Sequence, residues 1–276
     1  METYAEGNVL IYSTHLPFMI DLRQPSRIRV MSETKSGNAV SDDLTQSQPE
    51  GKLVLQAALG MSGSTSYLVA ERNLVVEGVD DHWIVTELSN LLIRSGEDGL
   101  PDDVLITPAG GASEAAYIAT FMIGQKLEVV VLLDTDGAGE DAREGLVKRW
   151  LTRYQERRAE VLSLGPIAGI SNRDFAIEDL FPDEFYKAAV EEVYAKQLAS
   201  SGVPKLTLIG DDMLCRRVER ALAEREIKFN KGSVAKLLRH RLSRMKTLAD
   251  LPKETQERGR AMIVAVNRVF EKIGKR

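Results

Sequence analysis

The sequence predicts an α/β protein, a Rossmann-like parallel sheet flanked by helices with a mainly helical region appended after it. Three observations predict it. Val129-Val130-Val131-Leu132-Leu133 is an apolar run that ends abruptly in Asp134-Thr135-Asp136-Gly137, the pattern of a strand buried on both faces. The same grammar recurs upstream at Leu74-Val75-Val76 and Val104-Leu105-Ile106, each followed by a helix-forming stretch, as right-handed βαβ units require. Beyond residue 182 the chain reads as mainly helical.

In chain order, residues 8–20 read as a buried strand followed by Ser13-Thr14-His15 and Pro17, and residues 32–50 as a polar loop without periodicity. A short amphipathic helix spans 53–59 and ends at Gly60. The strand at 74–76 leads through Glu77 and Gly78 into a helix over 80–94. The strand at 103–107 closes in Gly110 and Gly111, with Ser113 as cap of a helix to about 123. A charged helix over 140–158 and a fourth strand at 160–164 follow. Within the helical region, 205–209 reads as one short strand, and Phe229-Asn230-Lys231 opens a basic helix.

The chain of 276 residues is long enough for one large or two modest domains, and its composition is that of a soluble globular protein. No apolar stretch approaches the roughly 18 residues of a membrane span, and the single cysteine, Cys215, suits a reducing cytoplasm. The net charge of −5 is unevenly spread. Residues 231–276 hold 13 Lys/Arg against 4 Asp/Glu, leaving 23 against 37 for residues 1–230, so the tail is a candidate phosphate-binding face.

Glu77 and Asp81 flank one strand-to-helix turn, and Asp134 and Asp136 open another. On neighbouring parallel strands these turns bring four carboxylates together, and like charges that close need a cation. Oxygen donors without nearby His or Cys select Mg²⁺ or Mn²⁺ rather than zinc. Glu178, within the apolar phrase Phe175 to Pro182, is costly to bury unless it is paired or binds metal, whereas Asp179 suits a helix cap. His82, next to Asp81, reads as a helix-surface residue. The Asp-x-Asp-Gly phrase also occurs in calcium loops and haloacid-type phosphatases. Ala138 and Gly145 stand where the calcium loop needs ligands, and Ala138 where the phosphatase motif needs Thr or Val.

The Val-Glu-Gly-x-x-Asp phrase at 76–81 followed by Asp134-x-Asp136, Gly137 and Gly139 resembles the Toprim domain of topoisomerases, primases and some nucleases. With the phrase around His15, Leu59-Gly60, the Pro-Ala-Gly-Gly turn at 108–111, Ile177 to Pro182 and the Phe-Asn-Lys phrase at 229–231, the whole order resembles the C-terminal half of OLD-family (overcoming lysogenisation defect) endonucleases. That resemblance implies three parts. Residues 1–50 are the tail of an ABC-type ATPase domain plus a linker, 51–182 a Toprim catalytic domain, and 183–276 a basic, mainly helical domain completing the site. His15 sits where such ATPases carry a switch histidine, yet the chain has no phosphate loop, so ATP hydrolysis is not expected.

By the same resemblance Glu77, Asp81, Asp134, Asp136 and Glu178 are metal ligands for two Mg²⁺ or Mn²⁺ ions. Glu77 and Lys231 are catalytic, with Asp179 and Lys236 as additional candidates. The implied activity is two-metal hydrolysis of DNA phosphodiester bonds. Implied partners are DNA, the ATPase domain of a longer protein and, as in some family members, a helicase. A Toprim scaffold that holds nucleic acid without cutting it is the competing expectation.

Overall fold

The structure, a computed structural model, describes residues 11–14, 29–34, 37–41, 70–124, 127–146, 158–202 and 204–274. The chain divides into two compact units, Met1–Leu68 and Val69–Arg276. In the first, β1 (Val30–Thr34) and β2 (Gly37–Ser41) form an antiparallel hairpin in which Met31 faces Val40. This corrects the polar loop expected from residue 32 onward. Both strands are short and polar, Met31 and Val40 are exposed, and a ladder of backbone hydrogen bonds needs no apolar alternation. Residues 11–14 are not in a strand, and Ile11 is 89% exposed, so the burial expected there is not found. His15, the 53–59 helix and Gly60 lie outside the described residues.

The second unit alternates strand and helix as expected. β3 (Arg72–Val76), α1 (Val79–Arg94), β4 (Val104–Pro108), α2 (Ala112–Gly124), β5 (Glu128–Leu133), α3 (Gly137–Leu146), β6 (Ala159–Ser163) and the short α4 (Leu164–Ile167) follow in order. The four strands make one parallel sheet in the order β4-β3-β5-β6. Alternation along the strands splits the apolar side chains between two faces. Leu74, Val76, Val130 and Leu132 point to one core with α1, while Val75, Val129, Val131 and Leu133 point to the other with α2 and α3.

A 3₁₀ turn (Ile177–Leu180), α5 (Asp183–Val193), α6 (Ala195–Ser200), α7 (Leu214–Ala223), α8 (Lys231–Arg244), a second 3₁₀ turn (Leu248–Asp250) and α9 (Lys253–Gly274) complete the unit. Their buried residues, among them Val218, Leu238, Leu242 and Phe270, join the same core as Leu74 and Ile84. α8 lies along α1, and α9 packs on β5, β6 and α1. The strand expected at 205–209 is absent. Leu206 is buried as its apolar character demands, but its N–H donates to the Glu191 carboxylate at 2.8 Å instead of entering a ladder. No helix among the described residues is long and apolar enough to cross a membrane.

Candidate active site

The strand order fixes where a site forms. From β3 the chain steps to β4 on one side and then to β5 on the other, so the crevice between the tips of β3 and β5 is the topological switch point, where open α/β sheets bind ligands. Val76 pairs with Leu132 across that crevice. Glu77 and Asp134 thus leave adjacent strand tips, and the Asp134 N–H donates to Glu77 Oε1 at 2.8 Å. The glycine pair after β4 holds Glu77 from the other side. Gly110 and Gly111 both donate to its carbonyl, at 2.7 and 2.8 Å, from φ of +111° and +146°, a region that disfavours side chains. Asp81 folds back from α1 and accepts the Gly78 N–H at 2.7 Å, capping the helix it belongs to.

Glu178 arrives from forty residues further along by an identifiable route. Thr135 and Phe175 exchange backbone hydrogen bonds at 2.7 and 2.9 Å, an antiparallel bridge just beyond the end of β5. Arg173 and Arg258 lie over the buried Phe175 ring at 5.5 and 5.4 Å. The Ile177 N–H then donates to Asp134 Oδ1 at 3.1 Å, and the 3₁₀ turn delivers Glu178 beside it, 1% exposed. Asp179, in the same turn, faces elsewhere. It caps the turn through the Ala176 N–H and binds Arg173 at 2.9 Å and the Leu214 N–H.

Lys231 decides the electrostatics. Asn230 caps α8 by accepting the Ser233 N–H, and Lys231, the first residue of the helix, stands 2.9 Å from Glu178 Oε1. Its ammonium attracts five carboxylates, those of Glu77, Asp80, Asp81, Asp134 and Glu178. Lys236 is exposed and lies outside this cluster.

One positive charge does not balance these acids. Two carboxylates about 4 Å apart repel by roughly 4 kcal/mol at an effective dielectric constant of 20, more than the ~1 kcal/mol of a typical hydrogen bond. The protonation of the centre reflects this. Burial, and then the neighbouring acids, push the Asp81 carboxyl up to about 7 despite the pull of Lys231. Burial and the charges of Asp81 and Glu178 raise Asp134 well above the usual carboxylate range, and burial raises Glu77 and Glu178 as well. For Lys231 burial works against the ammonium, but Glu178, Asp81 and Asp134 outweigh it and hold its pKa above the ordinary value.

Asp136 sits at the rim. Its Oδ1 accepts the Gly139 N–H at 2.8 Å, and its Oδ2 is 3.7 Å from Arg216 of α7, which also binds Asp174 at 2.9 Å and Asp212 at 3.5 Å. Arg216 and Asp80 belong to the centre without any signal in the sequence, being ordinary helix residues brought to it by Asp136 and Asp174 in the one case and Lys231 in the other, all distant in sequence. His82, expected on the helix surface, is half-buried and turns to the backbone of β4 at Ile106, with its pKa lowered by burial.

Among the described residues, no three His, Cys, Asp or Glu side chains are arranged as a ready-made ion cage. Glu77, Asp81, Asp134 and Asp136 each accept one backbone N–H, which leaves the second oxygen of each carboxylate for another partner. The donor set nevertheless fits a hard divalent cation. It is all carboxylate oxygen, it carries excess negative charge, and buried Glu178 Oε2 has no hydrogen-bond partner. No protein-family model matches this chain, and no curated protein matches it.

Proposed function

We propose that this chain is a divalent-metal-dependent endonuclease hydrolysing DNA phosphodiester bonds, resembling the Toprim nuclease region of the OLD family. The observation that carries the reading is the meeting of acids from β3, α1, β5 and the 3₁₀ turn at the switch point, with one ammonium, among the described residues, set between them. In this reading Glu77, Asp81, Asp134, Asp136 and Glu178 hold Mg²⁺ or Mn²⁺, two ions in all. Bound there, such ions supply a water of lowered pKa and neutralise charge on a phosphate.

The chain's own groups then divide the remaining tasks. Lys231, the ammonium that stands 2.9 Å from Glu178, neutralises the scissile phosphate or protonates the leaving oxygen. Glu178 orients Lys231 through the 2.9 Å contact. Glu77 is held at both ends, by the glycine turn and by the Asp134 N–H, which gives its carboxylate a defined direction. Gly137 is exposed, and a Cβ added there would meet nothing within 4 Å, which leaves the mouth of the crevice open. DNA is the partner in this reading, and an ATPase domain of a longer protein and a helicase are partners the resemblance adds. A cytoplasmic location belongs to it too, supported by the single cysteine.

A second reading is a Toprim scaffold that binds nucleic acid without cutting. The backbone hydrogen bonds that occupy the carboxylates, together with a lysine serving as internal cation, favour it. Cleavage of plasmid DNA with Mg²⁺ or Mn²⁺ separates the two. The nuclease reading expects cutting by the wild-type chain and loss in Glu77→Ala, Asp134→Ala and Lys231→Ala. Equal cutting by all four, or none by any, removes it.

A further inference from the structure

Arginines and lysines across the second unit are largely engaged: Arg72, Lys205, Arg217, Arg260 and Lys272 each meet a carboxylate. On α8 the pattern splits. Arg241 pairs with Glu192, and Arg239 lies over the Trp83 ring at 5.4 Å, 3.9 Å from Glu87. Lys236 and Arg244 are exposed, and among the described residues neither has a carboxylate within ion-pair distance. Ser233, Lys236, His240 and Arg244 are all exposed and follow each other at three- and four-residue steps, which puts them along one side of the helix. The opposite side, with Val234, Ala235, Leu238 and Leu242, is buried.

The direction of this ridge is set by what α8 touches. At its start Lys231 faces Asp80 and Asp81, further on Arg239 reaches Glu87, and near its end the Leu242 carbonyl accepts from Arg94. α8 and α1 therefore run side by side in the same sense, both leading outward from the acid centre. With 14 residues at a rise of about 1.5 Å, the ridge reaches roughly 20 Å from Lys231.

We infer that this face of α8 carries the phosphate backbone of the nucleic acid on one side of the scissile bond. Charge complementarity and continuity with the centre argue for that occupant. The inference rests on the nuclease reading for the identity of the centre and adds the path of the substrate. At about 3.4 Å per nucleotide along one strand of a duplex, the ridge spans about six nucleotides. Lys236 and Arg244 supply the unpaired cations, and Arg239, fixed over Trp83, supplies a third donor beside them.

The test uses the 276-residue chain, a fluorescein-labelled DNA duplex and Ca²⁺, with anisotropy followed over a salt series. The double variant Lys236→Ala, Arg244→Ala is compared with Lys253→Ala, Arg268→Ala, which removes the same charge from α9. Expected for the α8 variant is a loss of affinity on the order of 50-fold near 0.1 M salt and a log–log salt slope smaller by about 1.8. The α9 variant should match wild type. Equal losses in both variants, or an unchanged slope in the first, overturn the inference. In Mg²⁺, cuts by the wild-type chain should stay about six nucleotides from one end of a duplex, and the α8 variant should lose that limit. A chain that binds with the expected slopes but never cuts removes the nuclease reading and leaves the ridge standing. Cutting with unchanged slopes removes the ridge alone.

Discussion

Replacing Gly139 with alanine tests the geometry of the acid centre without touching an acid. A Cβ at Gly139 would stand 2.2 Å from the Asp134 carbonyl oxygen, more than 1 Å inside ordinary contact, and the obstacle is backbone rather than a flexible side chain. Overpacking of this kind costs about 1–3 kcal/mol. Gly145, in the same helix α3, has nothing within 4 Å of a Cβ, so Gly145→Ala gains about 0.5–1 kcal/mol from helix propensity alone. The two alanines shift stability in opposite directions and should therefore differ by roughly 1.5–4 kcal/mol. Urea denaturation in chelator measures that difference. Because the displaced groups are the Asp134 backbone and the Gly139 N–H that holds Asp136, calorimetric Mn²⁺ affinity should fall about tenfold or more in Gly139→Ala and stay unchanged in Gly145→Ala. A Gly139→Ala protein as stable as Gly145→Ala, with wild-type ion affinity, would refute the packing argument.

Three further outcomes follow from the electrostatics. The folded Asp81 carboxyl titrates at about 7 against an ordinary 3.8, so the folded chain binds its proton more tightly than the unfolded chain, and its contribution to stability is lost as pH rises from about 4 to 7. Asp81→Asn, which keeps an acceptor for the Gly78 N–H, should match wild type at pH 4 and exceed it at pH 8 by up to about 4 kcal/mol in chelator; a difference that does not change with pH contradicts this. Arg216→Ala removes a guanidinium 3.7 Å from Asp136, so calorimetry should show Mn²⁺ binding several-fold tighter, and weaker binding would mean that Arg216 helps to assemble the centre. Burial, and then the Glu178 charge, push the Cys215 thiol up to about 12, so iodoacetamide at pH 8 should label it roughly a thousandfold more slowly in the folded chain than in urea. Equal rates would place the thiol outside this acidic neighbourhood.

How far the centre could be read in advance depended on the range of each signal. Glu77, Asp134 and Asp136 stand out because an acid between a buried apolar run and a glycine marks a strand tip, where α/β sheets place chemistry, and Asp81 because it opens the helix after the first of those tips. Glu178 stands out because a carboxylate inside an apolar phrase is costly to bury. Arg216 and Asp80 carry no such mark, since each looks like a solvated helix residue until Asp174, Asp212 or Lys231 is brought beside it. The β1–β2 hairpin escaped because its strands are short and carry no apolar alternation to mark them.

Period and punctuation are local properties, and they determined four parallel strands, the helices between them and the acids at two strand-to-helix turns. The tertiary structure decided what depends on free energy summed across the whole chain. It placed β3 next to β5, paired Thr135 with Phe175 so that Glu178 lands on Asp134, and brought Lys231, at the start of α8, beside Glu178. Each of those choices is a contact between segments far apart in sequence, stabilised by burial and charge that no short window contains.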